Sequence, residues 1–312
     1  MHNQYITPTE KMQEPERLHD LRPNGTERPW AKWKREAQGL ADIYEVLGCD
    51  PDNPQAAHDL DKARRVSDCA TYTEFQRHDP DSQHSGPWLT LHTANFCRNR
   101  LCPMCGWRRS LKMGSQAREV VAEANRQKVS RDGVAYKWLL VTFTVKNVTG
   151  PELGRTIDQL HKAAHNMAKT KRWKAAVKGW LRATEVTHNT DVKSASFDTF
   201  HPHLHFLLCV NSRYFKSADY IPQKEWKSMW ERAAGLNYDS QVNVKAVKDL
   251  ENDPTKESKT SLGGALAEVT KYVCKPQGVV TWENPEMAVR TVLVLDRMLD
   301  GRRLTSWGGV LK

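Results

Sequence analysis

The sequence predicts an α+β fold, and three observations support this class. Four segments have the β-branched, aromatic or alternating composition of strands, namely residues 136–145, 180–188, 203–210 and 241–247. Elsewhere, apolar side chains recur at helical spacing, most clearly in residues 33–47, 106–127 and 151–171. A polar loop at residues 189–198 connects the second strand to the third, so these two strands are expected to pair antiparallel.

Taken in order, the chain begins with residues 1–35, which carry Pro, Asn, Gly and many charges without a period and are predicted to be mostly loop. Further helices are predicted at residues 55–66, 222–234, 262–274 and 285–299. Residues 67–90 are predicted to be irregular, and the acidic, polar residues 248–259 to form a loop. The length of 312 residues allows one large domain or two smaller ones.

The charge balance indicates a polyanionic partner. The formal net charge is +10 and the sequence pI is about 9.2, and a basic excess of this size favours nucleic acid over a membrane. No apolar run reaches the length of a membrane span. Residues 1–16 are polar and include acidic side chains, unlike a signal or transit peptide, so a cytoplasmic location is expected.

Three of the seven cysteines lie within nine residues, and their spacing indicates a metal site. Cys102 and Cys105 form a Cys-x2-Cys knuckle, and Cys97 lies five residues before Cys102. Structural zinc takes four tetrahedral ligands, thiolate or imidazole, so a fourth ligand is required. Cys69 is the first choice and His92 is the reserve. Free buried cysteines are the alternative, but they explain neither the spacing nor the surrounding arginines.

Basic side chains surround this knuckle and are predicted to contact DNA phosphates. They are Arg98, Arg100, Arg108, Arg109 and Lys112. A zinc knuckle would hold them on a rigid surface. For any single one of them, a place on a solvated charged face is the alternative.

Three histidines alternate along the third predicted strand. His201, His203 and His205 would project from one face, because a strand places residues i, i+2 and i+4 on the same side, while Leu204 and Phe206 pack against the core. Imidazole is the commonest metal ligand among side chains. The pattern therefore favours a metal site over histidines that are only solvated or hydrogen-bonded.

Glu185, in the preceding strand, could lie beside His203 and His205 on that face. One carboxylate and two imidazoles would form a site with open positions, suited to Mg²⁺ or Mn²⁺ when a phosphate supplies oxygens. An ordinary cross-strand charge is the alternative for Glu185, and His201 is the alternative third ligand.

The helix predicted at residues 262–274 carries further polar side chains. Glu268 and Tyr272 are four residues apart, and Tyr272 and Lys275 are three apart, so these three side chains can face one point. Lys271 is added to the predicted DNA contacts. Taken alone, a tyrosine on a helix more often has a packing role.

With these motifs in this order, the chain resembles the rolling-circle plasmid replication initiators, in the branch of the HUH endonucleases typified by small Gram-positive plasmids. Residues 97–109 are similar to the family's cysteine-rich knuckle, and residues 139–144 to its first strand motif. His203-Leu204-His205, preceded by His201-Pro202, matches the HUH signature, and Glu268-x3-Tyr272, followed by Lys275, matches the nucleophile motif. The resemblance covers residues 69–280.

The resemblance implies an enzyme that nicks and joins DNA. Tyr272 would attack a phosphodiester in a single-stranded or hairpin segment of the plasmid's double-strand origin, leaving a 5′-phosphotyrosine link and a free 3′-OH that primes synthesis. A divalent ion at His203 and His205 would polarise the phosphoryl oxygens. Lys275 would favour the phenolate, and Glu268 would activate the water that ends the cycle. The family also implies a host helicase and a polymerase as partners.

The resemblance also implies a layout, in which helices flank a central antiparallel sheet of the HUH endonuclease, RRM-like type and the tyrosine helix packs against the metal face. Four regions are predicted on this basis. They are an N-terminal arm with helices as a candidate DNA-recognition region (1–68), the zinc knuckle with a basic helix (69–130), the HUH catalytic domain (131–280) and a C-terminal helix with a tail (281–312).

Two rival classes stay open. A non-catalytic, zinc-stabilised DNA-binding regulator explains the charge and the knuckle, but leaves the paired histidines and the Glu268/Tyr272 pair without a purpose. A conjugative relaxase or a single-strand transposase would be another HUH enzyme. Relaxases usually carry the nucleophile before the histidines, whereas Tyr272 follows them here.

Overall fold

The computed structural model of the chain describes residues 20–21, 25–80, 86–247, 261–271 and 284–312. Its main feature is a five-stranded sheet in which all neighbouring strands pair antiparallel. Helices cover both faces of this sheet. The predicted α+β class with a central antiparallel sheet is therefore confirmed.

The bounds of the elements follow the predicted pattern closely. The described helices are α1 (Trp30–Cys49), α2 (Ala56–Ser67), α3 (Pro103–Asp132), α4 (Gly150–Lys169), α5 (Lys171–Ala176), α6 (Gln223–Ala234), α7 (Leu262–Lys271) and α8 (Pro285–Leu299), with a 3₁₀ turn at Tyr214–Lys216. The described strands are β1 (Thr73–His78), β2 (Trp88–Ala94), β3 (Lys137–Thr144), β4 (Val177–Asn189), β5 (Thr199–Val210), β6 (Val242–Ala246) and β7 (Thr305–Gly309).

The central sheet has the strand order β6-β3-β5-β4-β7, and β5 lies in its middle. On one face, Leu204, Phe206 and Leu208 pack against α4, α5 and α6. On the other face, Leu207 and Cys209 pack with the apolar stripes of α3 and α7. Since side chains alternate along a strand, His203 and His205 belong to the face that α3 and α7 cover.

Local signals explain where the helices begin. Thr149 and Glu152 form a capping box at the start of α4, in which the Glu152 carboxylate accepts hydrogen bonds from the Thr149 backbone N–H at 3.1 Å and hydroxyl at 2.7 Å. Pro103 is at the first positions of α3, directly after Cys102. This helix therefore begins three residues before the predicted start at residue 106.

A further apolar core joins α1, the end of α2, the start of α3, α4 and α8 around the cysteines. Polar contacts also join α8 to α1 and α2. The Tyr44 hydroxyl donates to Asp296 at 2.7 Å, and Arg297 donates to the fully buried Asp59 at 2.5 Å. This core draws residues from all four predicted regions. Their division into domains stays a prediction.

Two sequence predictions were incomplete. Residues 67–90 were predicted to be irregular, but β1 and β2 form an antiparallel hairpin there. Most of its side chains are exposed or half-buried, so the apolar alternation that marks a buried strand is weak. Strand β7 pairs with β4 and was not predicted. The predicted loop at 248–259 and residues 272–274 of the tyrosine helix lie outside the described residues.

Among the described residues, no helix combines the length and the apolar character needed to span a bilayer.

Candidate functional site

Strand pairing brings two histidines and a glutamate together on the face covered by α3 and α7. In the β4–β5 register Glu185 lies opposite His203, and in the β3–β5 register Thr142 lies opposite His205. Both registers are long and regular at this point, so the sheet holds the side chains without help from a loop. The predicted antiparallel pairing of the two strands is confirmed.

The three donor groups converge closely. Nε2 of His203 is 2.8 Å and Nε2 of His205 is 2.7 Å from the same Oε2 atom of Glu185. Octahedral Mg²⁺ with ligand distances of about 2.1 Å places neighbouring donors about 3 Å apart. The two imidazole nitrogens and the carboxylate oxygen therefore fit a small divalent cation in both spacing and chemistry.

The other ring nitrogens have partners that orient the imidazoles. Nδ1 of His203 is 3.2 Å from the backbone carbonyl oxygen of His201, and Nδ1 of His205 is 3.1 Å from the Thr142 hydroxyl. A carbonyl oxygen only accepts, so this contact requires the proton of neutral His203 on Nδ1. On binding a cation, the neutral ring would keep this proton and offer its Nε2 lone pair, as metal ligation requires; without a cation, a protonated Nε2 donates to Glu185.

The surroundings keep Glu185 in its anionic form. Burial raises the pKa of its carboxyl, but hydrogen bonds and charge from His203 and His205 outweigh burial and lower the pKa overall. His201 is half-buried, and burial lowers the pKa of its imidazole. On this face of the sheet, the described ligand atoms that lie within 4.8 Å of one another belong to Glu185, His203 and His205, without His201.

Helix α7 brings Glu268 and Lys271 to the same side of the sheet. Its buried residues Ala265, Leu266 and Val269 pack with α3 and with Leu207 of β5, while Glu268 is half-exposed and Lys271 exposed. Tyr272, the next residue in the sequence, and Lys275 lie outside the described residues. The position of Tyr272 relative to the histidines stays a prediction.

Four cysteines form a second, buried cluster at the base of the hairpin. The sulfur of Cys69 lies 3.6 Å from that of Cys105 and 3.7 Å from that of Cys102, and the sulfur of Cys97 lies 3.6 Å from that of Cys105. Tetrahedral zinc with Zn–S bonds of about 2.3 Å places its sulfurs about 3.8 Å apart. The cluster therefore has the donor number and spacing of a structural zinc site.

The elements explain how these sulfurs meet. Cys69 follows α2, Cys97 follows β2, and Cys102 and Cys105 lie at the cap and in the first turn of α3. Hydrogen bonds from the neighbouring thiols lower the pKa of Cys69, and the same contacts raise the pKa of Cys102. His92, the reserve ligand, is exposed on β2 and is not a member of the cluster.

The basic residues predicted to contact DNA have different environments. Arg100 donates to the backbone oxygens of Leu299 at 2.6 Å and Arg302 at 2.7 Å, so its guanidinium holds the C-terminal turn. Arg108 lies over the rings of Trp30 and Trp107, 5.3 and 5.4 Å from their centroids, and burial lowers its pKa.

The remaining basic residues of this group are closer to solvent. Arg98 and Lys112 are exposed, and Arg98 has a left-handed backbone with φ of 59°. Arg109 is half-buried. These three side chains therefore reach the surface, whereas Arg100 and Arg108 make contacts that stabilise the fold.

Thr142 is a site residue that the sequence analysis missed. It orients His205 from β3, and nothing in its own segment distinguishes it from the other threonine of that strand, Thr144. Its role follows only from the register between β3 and β5. Thr142 could have been predicted from the sequence only if the register between β3 and β5 had been known.

Comparison with known proteins identifies the family. The family model described as Replication protein matches residues 88–312. A Protein rep of Bacillus amyloliquefaciens is 35% identical over 302 residues, which cover 95% of this chain and 83% of the relative. A Protein rep of Streptococcus pneumoniae serotype 2 is 35% identical over 261 residues, or 83% of this chain and 71% of the relative. No solved structure matches the chain. The chain thus belongs to the Replication protein family, whose members are rolling-circle plasmid replication initiators.

Proposed function

We propose that the protein initiates plasmid replication by nicking and rejoining one DNA strand at the double-strand origin, through a 5′-phosphotyrosine link to Tyr272. The observation that carries this proposal is the convergence of two imidazole nitrogens on one carboxylate oxygen at 2.7 and 2.8 Å. The packing of α7, the helix directly before Tyr272 in the sequence, on the same face of the sheet supports it.

His203, His205 and Glu185 would hold a divalent cation, Mg²⁺ or Mn²⁺. When bound, this cation would act as a Lewis acid on the phosphoryl oxygens of the scissile bond. The chain's own contribution is orientation, because the His201 carbonyl and the Thr142 hydroxyl fix the two rings. His201 would serve through this backbone carbonyl and is the alternative third ligand.

Tyr272 would be the nucleophile. Its phenolic oxygen would form a bond to phosphorus while the bond from phosphorus to the 3′ oxygen breaks. The phenolic proton would go to solvent, and the leaving 3′ oxygen would take up a proton from solvent to become a hydroxyl. A phenol with a pKa of about 10 is a weak nucleophile, so the cation of Lys275 would favour the phenolate. Glu268 would act later, as the base for the water that ends the cycle.

The four cysteines would hold a structural Zn²⁺, which would fix the start of α3 and its basic residues beside the DNA. Arg98, Arg109, Lys112 and Lys271 would contact phosphates of the origin. A host helicase and a polymerase would act after nicking, since the free 3′-OH is a primer. The proposed zinc ion rests on the sulfur spacing. The proposed DNA contacts and protein partners rest on the family and on the positive charge.

The decisive experiment measures formation of the protein–DNA adduct. A panel of labelled single-stranded oligonucleotides that covers the plasmid's origin region is incubated with Mn²⁺ and each variant, and the products are separated on a denaturing protein gel. We expect a metal-dependent adduct with the wild type and with Tyr72→Phe, an exposed tyrosine used as the matched control. Tyr272→Phe should form none.

The possible outcomes separate the function classes. An adduct that survives in Tyr272→Phe would move the nucleophile to another tyrosine. Absence of any adduct, with binding to the origin intact, would support the non-catalytic regulator instead. An adduct that forms equally well in EDTA would contradict the role of His203, His205 and Glu185.

The role of Glu268 has its own test. Glu268→Ala should still form the first adduct, because the phenolate does not need this carboxylate, but it should fail to release the DNA by hydrolysis. A time course of adduct decay measures this, with Glu268→Gln as the isosteric variant. Loss of the first nicking step in both variants would contradict the assignment.

A further inference from the structure

A groove of about 580 Å³ lies between α4 and the end of α6, next to the segment that follows β3. It is on the face of the sheet opposite to the histidines, because α4 and α6 pack against Leu204 and Phe206. The apolar part of its wall includes Val148, Ala163 and Leu236. The function proposed above does not use it.

The groove begins at the same end of the sheet as the candidate metal site. Thr144, the last residue of β3, pairs with His203. The next residue, Val145, lines the groove. A nucleic acid strand that passes from the histidine face over the end of β3 would therefore reach the groove within a few nucleotides.

The charged side chains of the groove are all cations. Lys146, Lys162 and Arg232 line it, and no acidic residue is among its described lining residues. Lys146 and Lys162 are exposed, and Nε of Arg232 donates to the Ser228 backbone carbonyl at 3.2 Å. The Arg232 side chain is exposed, and its charge also acts on the carboxylate of Glu225, which is not among the residues that line the groove.

The groove also offers an aromatic ring and two amides. Tyr238 is half-buried, and its hydroxyl accepts from the Lys146 backbone N–H at 3.1 Å while the Lys146 ammonium lies 4.4 Å from the ring centroid. Gln159 and Asn166, seven residues apart on α4, present exposed amides on one stripe of that helix. Stacking surface, amides and cations together match bases and phosphates.

We propose that this groove binds one or two nucleotides of single-stranded DNA that lie a few nucleotides from the scissile phosphate. Single strands are favoured over duplex because only an unpaired base can stack on Tyr238 and present its edge to Gln159 and Asn166. The groove thereby adds a second anchoring point for the strand that Tyr272 would cut, and in this respect the inference rests on the proposed function.

The test measures equilibrium binding without chemistry. A fluorescein-labelled dT20 oligonucleotide is titrated with protein in EDTA, in the Tyr272→Phe background, and followed by anisotropy at several salt concentrations. Lys162→Glu/Arg232→Glu should weaken binding at least tenfold and lower the slope of log K against log salt by about 1.4, or about 0.7 for each lost phosphate contact. Lys171→Glu/Lys224→Glu, which changes two exposed lysines outside the groove, should stay within twofold.

A second readout identifies the surface directly. When dT20 carries 5-iododeoxyuridine, irradiation should crosslink it to Tyr238, and peptide mass spectrometry locates the link. Tyr238→Leu should lose this crosslink and at least fivefold in affinity. The crosslink uses the unmodified groove, so it decides the question even if the double variant does not fold, which thermal unfolding reports.

The two proposals can fail separately. Unchanged dT20 affinity and salt slope in a folded groove variant, with no crosslink at Tyr238, would overturn this inference even where the Tyr272 adduct forms. Weaker binding in the groove variants together with a Tyr238 crosslink would support it even where no adduct forms. A groove variant with normal DNA binding that loses only a protein partner would also overturn it.

Discussion

The two clusters of potential metal ligands differ in the number of coordination positions that they leave open around a metal ion. The cysteine cluster supplies four buried sulfurs, enough to complete a tetrahedral shell. The cluster on the sheet supplies three donor atoms, and the side chain of Glu185 keeps 16% of its exposure. Three donors leave positions for water and for phosphate oxygens. The comparison teaches that donor number and access, more than residue type alone, separate a structural from a catalytic role.

Their supports differ as well. The cysteines come from three segments, after α2, after β2 and at the start of α3, and only the first two of these segments are joined by strand pairing, in the β1–β2 hairpin. The histidines and Glu185 stand on adjacent strands of the central sheet, where backbone pairing fixes them. We therefore expect the first cluster to govern stability and the second to govern activity.

The largest expected effect is on stability, in Cys102→Ser. If the cluster holds zinc as proposed, loss of one thiolate should reduce bound zinc from about one ion per chain to near zero and lower the free energy of unfolding by on the order of 5 kcal/mol, because metal binding there would be coupled to folding. Urea unfolding and elemental analysis measure both quantities. His92→Ala, an exposed histidine nearby, is the control and should change neither.

The Cys102→Ser result bears directly on the comparison. A variant that binds no zinc yet unfolds at the urea concentration of the wild type would show that apolar packing, for example of Met104 and Leu101 beside the sulfurs, holds this region without metal.

The next effect in size is on activity, in His205→Ala. Removing one ligand should slow adduct formation about 10²- to 10³-fold, since a Lewis acid contributes several kcal/mol to the transition state. The free energy of unfolding should fall by less than in Cys102→Ser, by about 1–2 kcal/mol, because the buried contacts of His205 are lost but β5 keeps its pairing. Single-turnover nicking with Mn²⁺ measures the rate, and His165→Ala, an exposed histidine of α4, is the control. Equal losses of stability and rate would erase the distinction between the clusters.

The sequence carried the ligand identities in both clusters but not their geometry. The Cys-x2-Cys spacing and the alternating histidines are local patterns, so they predicted which residues come together. Cys69 was one of two choices, because its place depends on a hairpin whose half-exposed strands leave little apolar pattern. Strand β7 was missed for a related reason, since the Gly-rich segment Thr305–Gly309 becomes a strand only by pairing with β4.

A smaller effect, expected in a variant of Thr142, tests the cluster of Glu185, His203 and His205. Thr142→Val keeps the shape of the side chain but removes the hydroxyl 3.1 Å from Nδ1 of His205. Loss of an outer partner of this kind typically weakens metal affinity 10- to 100-fold, so about that loss is expected for Mn²⁺. Calorimetric titration measures it. Thr144→Val, whose hydroxyl bonds to the Gln241 carbonyl, is the matched control on the same strand. Equal affinities in both variants would contradict an orienting role.

The smallest predicted effect is a loss of stability at low pH. Protonation of the ligands destabilises both clusters, so the contribution of other groups must be known before the two clusters are compared. His161 of α4 lies on the opposite face and contacts the Thr184 hydroxyl at 2.8 Å. Burial, followed by the charge of Arg182, lowers its pKa from 6.5 to about 4. The unfolded chain therefore binds an extra proton between about pH 6.5 and 4, and stability falls as pH falls through this window.

His161→Gln should remove this part of the pH dependence. Between pH 7 and 4.5 the variant should lose about 2 kcal/mol less of its free energy of unfolding than the wild type, a value reduced for partial solvent screening. Urea unfolding at pH 7, 5.5 and 4.5, with zinc content measured at each pH, separates this term from protonation of the thiolates. Parallel stability profiles for the two proteins would mean that the acid response comes from elsewhere, and the cysteine cluster, whose thiolates must be deprotonated to bind metal, would then be the leading source.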